Sequence, residues 1–332
     1  MPLTADLLEM VQAIQVSSTD SFSVSGETFQ IPSADGNGAM TSHLASALYQ
    51  RMYCRPQREP LRRAADGRTA RIFVDELSRA NCGVGTWDPG WVVERLEDDG
   101  TLVVHKQRDD LAVWAQPSQF RQSNGDLGIG TVGRLRIDKE LREMLPGYYM
   151  ALGDVDQAPD DSDSPVAVVR FYWHLTEEAA VRWIRELTQR FNGAQIPFRA
   201  KVLSAPSAYV RADAGVLYVA HRDLTRAMAL LPALHSAIWS QLRPTTPMLT
   251  KRLAHGLAVA EDPGDGRSFG QHRCQLVSEG VVRAFENGCT AFPDAATWVA
   301  NRFADERLSV ARPWLNPGSR GRYTWPGARM RS

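Results

Sequence analysis

Val168-Val169-Arg170-Phe171-Tyr172-Trp173-His174-Leu175 decides the fold, because from Val169 onward its apolar and polar residues alternate. Val169, Phe171, Trp173 and Leu175 fall on one face of an extended chain, and Arg170, Tyr172 and His174 on the other. This is the period-two pattern of a half-buried strand. Just downstream, Thr176 is placed to cap a helix, with Glu177 and Glu178 in its positive first turn. Ala180, Ile184, Leu187 and Phe191 recur at helical spacing, and Asn192-Gly193 closes the helix. A second strand over 197–203 puts Phe198, Ala200 and Val202 on one face and Arg199 and Lys201 on the other. After a loop carrying Tyr209, Arg211 and Asp213, residues 216–219 make a third strand. With the apolar faces packed beneath the helix, the opposite face gathers Arg170, Tyr172, His174, Arg199 and Lys201. Such a surface suits a phosphate and a proton abstraction. The expected class is α+β, a mixed or antiparallel sheet with helices packed on one face.

The 332 residues allow roughly two domains of ordinary size. Lys+Arg and Asp+Glu balance at 38 each, which argues against general nucleic-acid or polybasic membrane binding. No apolar run approaches the length of a membrane span. Residues 1–9 carry acids and no basic segment, unlike a signal peptide. Cys54, Cys82, Cys274 and Cys289 are far apart and form neither CxxC nor a metal spacing. A cytoplasmic protein with reduced thiols is expected.

Residues 3–55 read as two helical segments, with Leu7, Leu8, Val11 and Ile14 striping one and Leu44, Leu48 and Met52 the other. Residues 22–31 alternate between them, and 33–38 form a turn-rich break. Residues 54–70, with Arg55, Arg58, Arg62, Arg63 and Arg68, read as an exposed connector. Residues 71–155 read as β-rich: 87–91 as a turn, 91–96 and 101–105 as a hairpin across Asp98-Asp99-Gly100, and 147–153 as a further strand. Gly128, Gly130 and Gly133 spell GxGxxG, but no strand precedes them and no helix follows. A glycine turn is expected there, not a nucleotide site. The acidic, proline-flanked residues 157–164 are read as a boundary between 1–158 and 159–332. Beyond the central stretch, Leu224, Ala227, Leu231, Leu234 and Ile238 mark a helix. Residues 276–285 and 295–303 mark two more, and 312–332 form a basic, mobile tail.

Lys201 is the residue expected to carry the chemistry. Cationic neighbours and a desolvating peptide would favour the amine, the form that acts as a general base. A lysine on a strand is otherwise a solvated surface group. His174 is the natural acid partner if its strand neighbours that of Lys201, and Tyr172 is the alternative. Arg170, Arg199, Arg211, Lys251, Arg252, Arg267 and Arg273 are candidate phosphate holders, since guanidinium forks grip phosphate oxygens in pairs. Arg267 and Arg273 are the better pair, because Gly264, Gly266 and Gly270 permit close backbone approach to a ligand. His221 and His272 are further proton-transfer candidates. No GxSxG motif or Cys/His pair supports a nucleophilic hydrolase, and no spacing supports a metal.

At residues 170–175, 196–203, 209–218 and 268–274, and again at Trp87-Asp-Pro-Gly-Trp91 and Gly147-Tyr-Tyr-Met-Ala-Leu-Gly153, the chain resembles the HopA-type family. That family is named for a type III secretion effector. Homologues serve as lyase components in ribosomal-peptide pathways, notably class V lanthipeptide and thioamitide clusters. A more distant similarity is to phosphothreonine lyases, which remove phosphate by β-elimination. There a basic residue and an aromatic precede a strand histidine, and the base lysine follows about thirty residues on. Lys201 matches that lysine, and His174 or Tyr172 matches the acid. Arg211, Tyr218, Arg267 and Arg273 fall where those lyases contact phosphate. The resemblance implies a lyase-like domain over 159–332 and a precursor peptide phosphorylated on Ser or Thr as substrate. It implies no cofactor or metal, and partnership with a separate kinase and a cyclase. Residues 1–158 are then a candidate leader-peptide binder. The alternatives carried forward are a non-catalytic phosphopeptide-binding effector or scaffold protein, and a phosphatase-like hydrolase.

Overall fold

The computed structural model describes residues 3–32, 39–54, 67–106, 112–123, 125–142, 145–155, 166–289 and 291–325. In chain order the elements begin with α1 (Ala5–Gln12), β1 (Ile14–Ser18), β2 (Ser21–Val24), β3 (Glu27–Gln30), α2 (Ala39–Leu48) and α3 (Gly67–Ala80). Then come β4 (Thr86–Leu96), β5 (Leu102–Lys106), β6 (Ala112–Ala115), β7 (Phe120–Gln122), β8 (Val132–Ile137), β9 (Glu140–Leu141) and β10 (Tyr148–Leu152). The remainder is β11 (Val168–Trp173), α4 (Glu177–Gly193), β12 (Arg199–Leu203), β13 (Gly215–Ala220), α5 (Leu224–Ile238), β14 (Lys251–Ala254), β15 (Leu257–Glu261), α6 (Phe269–Glu286) and α7 (Phe292–Asp305).

The alternating stretch becomes β11, in the middle of a seven-stranded sheet ordered β14-β15-β11-β13-β12-β10-β9. Every pairing in it is antiparallel. The class is therefore α+β, as the sequence predicts. Thr176 caps α4 by accepting from the Ala179 N–H, and Ala180, Ile184, Leu187 and Phe191 are wholly buried. They pack with α3 and α5 on Val169, Phe171, Trp173, Ala200, Val202, Leu217 and Val219, the larger core. Part of the opposite face is covered too. There α2 and α6 lie over Tyr172, Val216 and Ala260 and join α1 and α7 in a second core. These three residues are too apolar to stay open to water, so Arg170 and Tyr172 end up buried and not on an open cationic surface.

A third, small core lies inside the five-stranded sheet β6-β5-β4-β8-β7. The predicted hairpin is present: Leu96 pairs with Leu102, and Gly100 takes the left-handed conformation the turn needs. Gly128 to Gly133 make a turn into β8, not a strand–glycine–helix unit. β9 and β10 precede the expected boundary at 158/159, and both hydrogen-bond into the seven-stranded sheet.

Four expectations need correction. Residues 87–91 are not a turn but part of β4, which absorbs Pro89-Gly90 as a bulge. Residues 67–80 form a helix, its apolar residues Phe73, Leu77 and Ala80 spaced for burial against the larger core. The helix expected over 276–285 starts earlier: α6 begins at Phe269 behind a Ser268–Gln271 capping box and takes in Gln271 to Cys274. The tail is not mobile over 312–325: Leu315 and Tyr323 are buried. The Glu261 carboxylate, wholly buried, accepts from the Asn316 N–H at 2.6 Å, the Ser319 hydroxyl at 2.5 Å and the Tyr323 hydroxyl at 2.7 Å. Residues 33–38, 55–66, 156–165 and 326–332, which hold the turn-rich break, most of the arginine connector, the acidic boundary and the end of the tail, lie outside the described residues. All four cysteines are free thiols. Among the described residues no helix is long and apolar enough to cross a membrane.

Candidate active site

Direct pairing in the sheet decides which side chains share a row. Tyr172 pairs with Val216 and Val216 with Lys201; Arg170 pairs with Tyr218 and Tyr218 with Arg199. Paired residues project to the same face. β13 stands between β11 and β12. Tyr172 and Lys201 therefore lie two strand spacings apart, about 10 Å along one row. The condition set for His174, that its strand neighbour that of Lys201, is not met. His174 follows the end of β11, only 2% exposed, with its Nδ1 2.9 Å from the Thr245 hydroxyl.

Lys201 is half-buried, its Nζ 4.4 Å from the centre of the Tyr148 ring and 5.9 Å from that of Tyr218. The same Tyr218 ring lies 5.3 Å from the Arg170 guanidinium, so two cations flank one aromatic. Arg170 donates to Asp262 at 2.6 Å and to the Arg267 carbonyl at 3.2 Å. Burial works against its charge, and the nearby tyrosines with Asp262 outweigh burial and raise its pKa. Burial likewise pushes the Tyr172 hydroxyl up, which keeps it protonated.

Beside Lys201 lies a cluster of which the sequence singled out Arg211 as a phosphate holder but not the arrangement around it. Arg211 donates from Nε and Nη2 to the two Asp213 oxygens, both at 2.8 Å, and from Nη2 to the Tyr49 hydroxyl at 3.1 Å. The Tyr49 hydroxyl in turn donates to Asp213 at 3.3 Å. Tyr49 rides on a π-helical turn, Tyr49–Tyr53, that continues α2. Asp213 is 5% exposed. Burial alone would raise its carboxyl; Arg211 outweighs burial, with help from Lys201 and Tyr49, and holds it below the usual range. The cluster edges a cleft of about 600 Å³, lined by Arg211 and Arg267 among others. Arg267 is held by Asp265 at 2.6 Å.

The other candidates fall elsewhere. Arg199 is exposed and lines a smaller cleft of about 200 Å³ against β4 and β5. Lys251 sits in register with Val259, on the α4 face, and bonds the Arg322 carbonyl. Arg252 is exposed at the sheet edge. Arg273, 1% exposed, donates to the carbonyls of Pro313 and Leu315; burial lowers its pKa to about 10. His272, with burial and the Arg273 charge pushing its pKa down to about 4, accepts from Arg273 and is neutral at pH 7. His221 follows the last row of β13. Gly264 and Gly266 sit in open, left-handed turns. Gly270 serves packing instead of ligand approach: a Cβ there would lie 2.4 Å from the Tyr53 ring.

Tyr53 stacks on Tyr49 at 5.3 Å, which gives a prediction. Gly270→Ala is expected to lower stability by about 1–3 kcal/mol through overpacking, although alanine is the better helix former. The urea midpoint measures it, and a variant as stable as the parent would show that Tyr53 yields freely.

The sequence model of the HopA1 effector protein family matches residues 141–315, just over half of the 332. The chain belongs to that family. Two solved structures are similar to this HopA1-family protein. One is the effector protein from Pseudomonas syringae pv. tomato strain DC3000, 15% identical, covering 84% of this chain and 95% of that one, with a TM-score of 0.48. The other is the effector protein from Pseudomonas syringae pv. syringae strain 61, 13% identical, covering 84% and 96%, with a TM-score of 0.44. No curated protein matches the sequence. The family match takes in Tyr148, Arg170, Tyr172, Lys201, Arg211, Asp213, Tyr218 and Arg267. Tyr49 lies outside it, and its contact with Arg211 and Asp213 spans more than a hundred and sixty residues of sequence. No local motif could have signalled that contact. Arg211-x-Asp213 was the readable half, an i,i+2 pair of opposite charge in a loop.

Proposed function

We propose that this HopA1-family protein is a phosphoserine/phosphothreonine lyase acting on a ribosomally made precursor peptide, in lanthipeptide or related natural-product maturation. One observation carries the reading: the Lys201 amine, flanked by Tyr148 and Tyr218, stands next to a buried arginine–aspartate cluster that opens on a cleft with a second arginine. In the amine form Lys201 takes the α-hydrogen of the phosphorylated residue as a proton. The electron pair left behind forms the Cα=Cβ bond, the Cβ–O bond breaks, and phosphate leaves with that bond's electrons. The acid gives a proton to the departing oxygen, so that phosphate leaves as the dianion, and Arg211 and Arg267 hold it and stabilise its charge, with Arg170 behind them. Arginine has several N–H donors, so bonds to Asp213 or Asp265 leave others for phosphate. Tyr172, protonated and in the row of Lys201, is the better placed of the two acids considered; His174 is engaged with Thr245. The products are dehydroalanine or dehydrobutyrine and inorganic phosphate, and the step needs no metal or cofactor. A kinase must supply the phosphate, and the alkene suits a cyclase that adds a thiol to it.

A non-catalytic phosphopeptide-binding scaffold is favoured by one feature: Arg170, Arg211 and Arg267 each already hold an aspartate, at Asp262, Asp213 and Asp265. Incubation with a phosphothreonine peptide followed by a small thiol separates the readings. The lyase yields a thioether adduct. A scaffold returns the phosphopeptide, and a phosphatase returns threonine, which takes up no thiol; either result refutes the lyase.

A further inference from the structure

The cleft has walls as well as a cationic floor, and the walls say what lies in it. Ser42, Ser46 and Gln50 recur every fourth residue along α2 and its π-turn and line one side. Gln271 and Gln275, four apart on α6, line the other. The two helices are packed together below by Leu44, Leu48, Met52, Val277 and Val281. No carboxylate is among the described residues that line the cleft, and its charged side chains are Arg211 and Arg267.

We infer that the peptide chain on either side of the phosphorylated residue lies extended between α2 and α6, recognised through its main-chain amides and not its side chains. The inference rests on the phosphopeptide reading above. Amide and hydroxyl side chains both donate and accept, as a peptide backbone requires on both counts. They form two facing rows. Of the other lining residues, Tyr49 and Cys54 lie at the floor beside Arg211, the Tyr49 hydroxyl being bonded to that arginine, and those left along the walls, Ala45 and Gly266, are too small to frame an apolar socket that would select one neighbouring side chain. The guanidinium floor supplies the anchor for a phosphate dianion. The volume, about 600 Å³, is that of a site for a short segment and not for a free amino acid alone. The N-terminal helical region thereby gains a role: it is one wall of the substrate cleft. The resulting enzyme tolerates varied sequence around its target, and selection among the residues of the peptide falls to the phosphate.

The test uses the full chain and a fluorescein-labelled peptide in which alanines flank a phosphonate analogue of phosphothreonine, whose carbon–phosphorus bond cannot be eliminated. N-methylation of each backbone amide beside the phosphonate should weaken binding by roughly 3–10-fold, the worth of one hydrogen bond. Exchanging the flanking alanines for leucine or glutamine should change it less than about twofold. In the double variant Ser46→Leu, Gln275→Leu, the ratio of affinities for this peptide and for free phosphothreonine should fall about tenfold. N-methylation without effect, an unchanged ratio, or no binding of the peptide would each overturn the inference. Binding that follows the predicted pattern while a true phosphopeptide is never eliminated would instead refute the lyase reading and leave the peptide's path intact.

Discussion

Replacing Lys201 with alanine should slow phosphate elimination by about 10²–10⁴-fold, the range that a positioned general base contributes. Lys201 is half-buried and its contacts are with two tyrosine rings, so the variant should keep its unfolding free energy within about 1 kcal/mol, read from the urea midpoint. Lys201→Arg is the sharper control. Arginine keeps the positive charge over Tyr148 and Tyr218 and the field on Asp213, but it does not give up its proton. If Lys201 merely attracted phosphate, arginine would restore the rate. If it abstracts the α-proton, the arginine variant should be as slow as alanine while still binding the phosphopeptide. Single-turnover mass spectrometry reads the first quantity and fluorescence anisotropy the second.

Removing the Asp213 carboxylate should have the largest effect on stability. Asp213→Ala leaves Arg211 with an unpaired charge in a largely buried place and strips the Tyr49 hydroxyl of its acceptor. Breaking one partner of a buried ion pair costs about 3–5 kcal/mol. Elimination should fall as well, because Asp213 is what holds Arg211 at the edge of the cleft. The pH dependence has a definite sign. The unfolded carboxyl protonates near pH 3.9, and the folded one below that, since Arg211 holds it down. Between the two values the unfolded chain takes up a proton that the folded chain does not. Asp213 thus stabilises the fold above about pH 4, and that contribution is lost as pH falls through the folded value. Urea midpoints measured from neutral pH downward should show a shallower acid slope in the variant than in the parent. Equal slopes would mean that the pair contributes nothing to folding.

The sheet was legible because its strands announce themselves. Val169, Phe171 and Trp173 alternate cleanly with polar residues, and the helix over 177–193 carries both its cap and its stripe. Strand order was not legible. Nothing in 166–221 says that the third strand inserts between the first two, and that insertion separates His174 from Lys201 and puts Tyr172 in its row. The covering of the polar face was hidden for a related reason. Tyr172, Val216 and Ala260 come from three separate strands, and only their meeting creates an apolar patch that α2 and α6 must bury. Arginines misled most. Arg273 reads as half of a phosphate-holding pair with Arg267, and it is the clamp for 313–315 instead; a guanidinium can satisfy several carbonyls at once, and sequence does not show where those carbonyls are.

A peptide carrying phosphothreonine with deuterium at its α-carbon puts the account to its most direct trial. Mass spectrometry after incubation with the protein should show a peptide that has lost its phosphate group together with the α-deuterium, with dehydrobutyrine in place of the phosphorylated residue. A peptide that comes back with its α-deuterium in place, whether still phosphorylated or converted to threonine, would contradict it.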